Sequence, residues 1–184
     1  MALICPTVTA ADPHEFREQM ERIAPFAQRI HIDLADGVFT SNKLVELSKI
    51  WWPVGVRTDV HLMYEAVRPF LAQLKNHKPN MVIVHAEATG NFYDVVKPLH
   101  DANIKVGVAL LADTPVATIK PAIHDIDHVL IFSGDLGHFG GHADLALLDK
   151  VKALRKMKKD IEIGWDGGIN IDNASKLAKG GIDV

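Results

Sequence analysis

The sequence predicts an α/β protein built as a (β/α)8 barrel. Four observations carry that expectation. Short apolar runs alternate with longer amphipathic stretches along the chain. Several of the short runs, such as Met81-Val-Ile-Val84 and Val129-Leu-Ile-Phe132, are continuously apolar, the pattern of parallel strands covered on both faces. Strand ends recur roughly every 25–30 residues, the length of one βα unit. No Gly-x-Gly-x-x-Gly fingerprint follows the first strand, which favours a closed barrel over a nucleotide-binding open sheet.

The expected strands are Ala2–Cys5, Arg29–Asp33, Val56–His61, Met81–His85, Lys105–Leu111, Val129–Ser133 and Ile161–Trp165. The first helix opens at Asp12-Pro13-His14-Glu15, with an N-cap, a proline at the first helical position and an acid completing a capping box. Phe16, Met20, Ile23 and Ala27 then form one buried stripe. Thr114-Pro115 opens another helix, Ala143–Lys159 carries Leu147, Leu148, Val151 and Leu154 on one face, and Asp172–Lys179 stops at Gly180-Gly181. Ile182-Asp183-Val184 reads as the start of an eighth strand. A closed barrel typically needs about 200–250 residues. The 184 residues here therefore predict one barrel domain, residues 1–184, truncated before strand 8, or completed by a wall from a partner chain.

Composition narrows the function. The chain is 48% hydrophobic and 23% charged, enough for one good-sized core, and its net charge of −3 offers no general attraction to nucleic acid or an anionic membrane. One basic run, Arg155-Lys-Met-Lys-Lys159, closes a predicted helix and reads as a solvated helix end. Cys5 is the single cysteine, so no internal disulfide forms, which fits a cytoplasmic protein. Met1-Ala-Leu-Ile lacks a basic leader region, and no apolar run is long enough to span a bilayer.

Four polar side chains fall at the ends of buried strands: His31 and Asp33 in the second, His61 in the third and Asp166 in the seventh. His31 and Asp33, two apart on a strand, project to the same face. In a barrel the carboxyl ends of the strands gather at one mouth. Two imidazoles and two carboxylates suit a divalent ion such as Zn²⁺, Fe²⁺ or Mn²⁺, and burying them without one is costly. Each His-x-Asp alone is a weak signal; the set of four is a strong one. His85-Ala-Glu87 is read as support behind the ligands rather than as a primary site.

These segments resemble ribulose-phosphate 3-epimerases. His31-Ile-Asp-Leu-Ala-Asp36-Gly-Val-Phe39 looks like that family's motif after the second strand, Asp59-Val-His-Leu-Met63 like its third strand, and Asp166-Gly-Gly-Ile169 like its seventh. Phe139-Gly-Gly-His142 is similar to the glycine-rich lid after the sixth strand, and Pro6-Thr7 to the start of the chain. The resemblance runs in register over nearly all of the sequence. It implies a TIM barrel of the ribulose-phosphate-binding type with one divalent ion (zinc, iron, manganese or cobalt) held by His31, Asp33, His61 and Asp166. Asp33 and Asp166 would be acid and base on opposite faces of a ketose phosphate, inverting C3 through an enediolate and converting D-ribulose 5-phosphate to D-xylulose 5-phosphate. Substrate contacts would come from Thr7 and His61. Phosphate would sit on backbone N–H groups at Gly140, Gly141, Gly167 and Gly168, the last pair leading into a helix N-terminus. Relatives are dimers or rings of dimers of the pentose phosphate pathway, so a homo-oligomer is implied.

Departures from the family pattern keep other substrates open. Ala35 and Phe132 stand where methionines are usual, leaving Met63 alone of that set, and Thr7 replaces a serine. The lid, Ser133–His142, is one residue longer, with His138 for a glycine, His142 for a glutamine, and no proline, lysine or arginine. The alternatives are a six-carbon ketose 6-phosphate 3-epimerase and a non-catalytic barrel that binds metal and sugar phosphate. A decarboxylase or aldolase is weaker, because Asp33-Leu-Ala-Asp36 lacks a lysine between its acids.

Overall fold

The computed structural model describes residues 2–184. Seven strands, β1 (Thr7–Thr9), β2 (Arg29–Ala35), β3 (Arg57–Met63), β4 (Met81–His85), β5 (Lys105–Leu110), β6 (His128–Phe132) and β7 (Glu162–Asp166), form one parallel sheet in sequential order. Five α-helices, α1 (Pro13–Ile23), α2 (Leu71–His77), α3 (Tyr93–His100), α4 (Leu148–Met157) and α5 (Ala174–Lys179), cover the outer face. Short 3₁₀ turns fill the remaining crossovers, notably Leu47–Lys49 after β2 and Val116–Ala122 after β5. A sequential parallel order with helical returns is the wall of a (β/α) barrel.

The pleat separates two cores. Residues such as Ile30, Ile32, Val60, Val82 and Val106 face the helices and pack with Phe16 and Met20 of α1. Met81, Ile83, Ala109 and Leu130 form a separate cluster that points the other way, into the barrel. The capping at α1 matches the sequence: Asp12 accepts from the His14 and Glu15 amides, while the Glu15 carboxylate takes the Ala11 N–H at 2.7 Å.

Four details differ from the sequence expectation. The first strand is Thr7–Thr9 rather than Ala2–Cys5, because pairing begins where the Pro6 carbonyl accepts the His31 N–H and Thr7 then falls opposite His31. The stretch after Thr114-Pro115 winds as a 3₁₀ turn rather than an α-helix, with Pro121 inside it. The last helix starts at Ala174, so Gly167-Gly168 do not lead directly into a helix N-terminus. The basic run is not merely a solvated end. Arg155 donates to the Ile161 and Gly181 carbonyls and to Asp183, and Lys158 to the Ile126 carbonyl.

Residues 182–184 lie where an eighth strand would begin. Asp183 N–H bonds the Ile163 carbonyl, Trp165 N–H bonds the Val184 carbonyl, and Leu3 N–H bonds the Asp183 carbonyl. This short stretch therefore touches β7 on one side and the segment before β1 on the other.

Candidate active site

Register brings the four strand-end residues together. Asp33 pairs opposite His61 across β2 and β3, while Asp166 ends β7 on the far side of the barrel. One donor atom from each of His31, Asp33, His61 and Asp166 lies within 4.8 Å of all the others. Asp33 Oδ1 is 3.1 Å from His31 Nε2 and 2.9 Å from His61 Nδ1, and Asp166 Oδ2 is 3.8 Å from each of the same two nitrogens. His31, Asp33 and His61 are buried, and Asp166 is the most open of the four.

Burial and crowding set the electrostatics. Asp33 is pushed upward by burial, but the charge and hydrogen bond of His31, with the His61 nitrogen beside it, outweigh that and hold it far below the carboxylate range. Asp166 goes the other way, raised by burial and by the neighbouring Asp33 charge. Burial lowers His61 below the ordinary imidazole value. Burial also opposes a charge on His31, but Asp33 and Asp166 overcome it and raise that imidazole to about 9. Two carboxylates and two imidazoles thus compete for too little positive charge.

That shortage is the test of whether a cation fits. A divalent ion balances two carboxylates, accepts both imidazole lone pairs, and takes bonds of about 2.0–2.2 Å from either side, the order of spacing seen here. The donor set fits such an ion, with His31, Asp33, His61 and Asp166 as its holders.

Several supports lie behind this cluster. Thr9 Oγ1 donates to Asp33 Oδ2 at 2.6 Å and fixes the carboxylate from β1. Sequence reading missed Thr9, although the Thr7-x-Thr9 spacing, which places two hydroxyls on one strand face, was an available signal. His85, read as a supporting residue, does touch His61: the two Nε2 atoms are 2.9 Å apart. His85 Nδ1 lies 3.3 Å from Glu87 Oε2, and the Phe39 ring stacks on His85 with centroids 4.8 Å apart. Asp36 is a turn organiser, accepting the Val38, Phe39 and Glu65 amides.

A cavity of about 510 Å³ opens over Asp33 and Asp166. Its wall includes Thr7, Thr9, His138 and the backbone of Gly140, Gly141, Gly167 and Gly168, and no lysine or arginine. Gly167 and Gly168 have positive φ angles of 101° and 68°, and a Cβ on either would strike the backbone of the lid, so only glycine lets the β7 turn and the lid lie this close. Gly168 N–H is bonded to the Gly140 carbonyl at 3.0 Å. The lid is also held to the loop after β2, since Thr40 Oγ1 donates to the Leu136 carbonyl and Asn42 Nδ2 to the Gly137 carbonyl. His142 does not line the cavity; its carbonyl accepts from Ser133 Oγ. Cys5 takes no part, its thiol being pushed up to about 12 by burial and by Asp59.

Fold and site define a (β/α)-barrel protein whose strand ends present a buried cluster able to hold a metal ion beside a glycine-walled cavity. The solved structures it resembles agree on the fold. Tryptophan synthase α-subunits from Pyrococcus furiosus match 98% of this chain and 84% of theirs, with TM-scores of 0.70 and 0.68 at 13% and 15% identity. Sequence relatives are more specific. Ribulose-phosphate 3-epimerase of Bacillus subtilis is 29% identical over the whole chain and 89% of its own length, and that of Mycobacterium leprae is 30% identical over 98% and 84%. The ribulose-phosphate 3-epimerase family model matches residues 3–184. The chain belongs to that family, a family of isomerases.

Proposed function

We propose that this protein inverts C3 of a ketose phosphate, interconverting D-ribulose 5-phosphate and D-xylulose 5-phosphate, within a single barrel domain. The observation that carries this reading is the convergence of Asp33 and Asp166, from β2 and β7, on one buried cluster at the floor of the cavity. Carboxylates reaching a substrate from two sides suit removal of a proton from one face and its return to the other.

One aspartate takes the C3 proton, the electron pair moves into C2 and its oxygen, and the other aspartate delivers a proton to the opposite face of C3. A divalent ion held by His31, Asp33, His61 and Asp166 would supply positive charge against the anion that develops on the substrate. Thr9 orients Asp33 through its 2.6 Å hydrogen bond. Thr7, on the cavity wall, lies against the sugar, while His61, buried and off that wall, does not reach it; phosphate sits on the N–H groups of the Gly140-Gly141 and Gly167-Gly168 segments. The Gly168 N–H must leave the Gly140 carbonyl to reach it, so phosphate binding moves the lid. The absence of Lys and Arg from this wall supports a backbone cradle.

A six-carbon ketose 6-phosphate is the second reading. Small Ala35 favours it because it packs with Leu44 behind Met63, which lines the cavity, and leaves Met63 room to yield to a longer substrate. Incubation in D₂O with each ketose phosphate separates the readings by deuterium incorporation at C3. The five-carbon substrate should exchange fastest, and Asp33→Asn and Asp166→Asn should stop exchange. A parent protein that exchanges neither substrate is a binding barrel, and the proposal fails.

A further inference from the structure

A chain of side chains runs from the cluster through the barrel wall to the loop after β5. We infer that Glu87 and His85 set the tautomer of His61, aiming a bare Nδ1 lone pair into the cation site; they are positioning residues for it. This rests on the metal reading above and specifies which residues outside the ligand set make that site work.

The inference follows from donor and acceptor counting. Leu111 N–H donates to Glu87 Oε1 at 3.1 Å, and Thr114 Oγ1 donates to the same oxygen. Glu87 Oε2 is left facing His85 Nδ1. A carboxylate only accepts, so His85 carries its proton on Nδ1. Of the two Nε2 atoms, 2.9 Å apart, one must donate to the other. A His61 that ligates through the Nδ1 facing the cluster has its N–H on Nε2 and gives it to His85 Nε2. Its Nδ1 is therefore a lone pair, and it faces Asp33 Oδ1 at 2.9 Å and Asp166 Oδ2 at 3.8 Å. Lone pairs at that distance repel unless a cation lies between them. His61, His85 and Asp33 are buried, so water does not relieve the conflict between His61 Nδ1 and Asp33.

Glu87→Gln is the decisive variant because it changes no volume. Leu111 N–H still requires an acceptor at the Oε1 position, so the glutamine carbonyl stays there and its NH₂ turns to His85 Nδ1. Every donor along the chain then reverses. His85 Nε2–H donates to His61 Nε2, and His61 Nδ1–H points at Asp33, closing the lone pair that a cation would use. Glu87→Asp keeps an acceptor and is the conservative control.

The experiment titrates Zn²⁺ into metal-free protein against a chromogenic chelator, alongside ¹⁵N shifts of the histidine rings. The parent should bind one Zn²⁺, with His61 coordinated through Nδ1. Glu87→Gln should bind about 10–100-fold more weakly, with an unchanged melting temperature in the absence of metal. Glu87→Asp should recover most of the affinity. Equal affinity in the parent and in Glu87→Gln, or coordination through His61 Nε2, overturns the inference. If the parent itself takes up no Zn²⁺, the metal reading fails and the inference falls with it.

Discussion

The two ends of the barrel interior use the same strands in opposite ways. At the carboxyl ends, β2, β3 and β7 supply Asp33, His61 and Asp166, a cluster short of positive charge. One or two pleats below, the same strands supply Arg29, Asp59 and Glu162, and there the charges close on themselves. Arg29 Nε donates to Asp59 at 2.6 Å, its terminal nitrogens fork onto both Glu162 oxygens at 2.9 and 2.7 Å, Asn80 donates to Asp59, and His128 Nδ1 pairs with Glu162. In the lower layer protein groups meet the charges, His128 Nε2 alone of these side chains being buried without a partner, and the network ties the strands together. The upper layer is left unsatisfied and is where the proposed chemistry would lie. A barrel can bury charge at either end; what differs is whether the protein supplies the counter-charge itself.

The largest effects should come from cancelling the upper imbalance. Asp33→Asn and Asp166→Asn should each lower C3 exchange by on the order of 10²–10⁴-fold, the range for losing a positioned acid or base. Asp166→Asn should not lower the melting temperature of metal-free protein, since burial and the Asp33 charge disfavour its carboxylate, whereas Asp33→Asn should lower it by removing the carboxylate that His31 favours. Added Zn²⁺ should raise the melting temperature of the parent and leave Asp33→Asn unmoved. Destabilisation of metal-free protein by Asp166→Asn would place the upper cluster among the structural networks. For the lower layer, Arg29→Met strands Asp59 and Glu162 without their cation and should cost about 3–5 kcal/mol in urea unfolding. Exchange per folded molecule should remain close to the parent. A loss below about 1 kcal/mol would mean the layer is dispensable.

The upper end was far more legible in the sequence than the lower. His31, Asp33, His61 and Asp166 stand out because each interrupts an apolar run at a strand end, and the resemblance to epimerases fell on the same positions. Strand order and helices α1 and α4 followed from the βα rhythm for the same reason, since periodicity is a local property. The lower layer is a matter of pairing. Arg29 begins a strand, where a charge is unremarkable, and nothing local tells it that Glu162 lies across the barrel. Edge strands were equally hard: the apolar run Ala2–Cys5 looked like the first strand, but its neighbours in space decide pairing, and these start at Thr7. The ties of Asn42 to the lid were invisible for that reason too.

Packing around His128 offers a smaller test of the lower layer. The imidazole occupies room left by two glycines on flanking strands, Gly107 on β5 and Gly164 on β7. A Cβ at Gly164 would come within 2.7 Å of His128 Cε1 and Nε2, and one at Gly107 within 3.2 Å of Cδ2. Gly164→Ala should therefore destabilise by about 1–3 kcal/mol through overpacking, more than Gly107→Ala. If the two alanines cost the same, the ring is free to move and does not anchor Glu162.

The mildest effect should appear in acid. Burial alone would raise Glu162, but His128 and Arg29 hold its carboxyl well below its ordinary value. A carboxyl depressed in the folded state contributes stability above the unfolded carboxylate range of about 4.5. That contribution fades as pH falls through this range toward the folded value, because the unfolded chain then binds the proton first. Glu162→Gln should be less stable than the parent at pH 7, and its stability should fall less steeply between pH 5 and pH 3, so that the two urea midpoints converge. Parallel curves over that window would mean that Arg29 and His128 do not hold the Glu162 charge. The lower layer would then be no better compensated than the upper, and the contrast between the two ends of the barrel would lose its electrostatic basis.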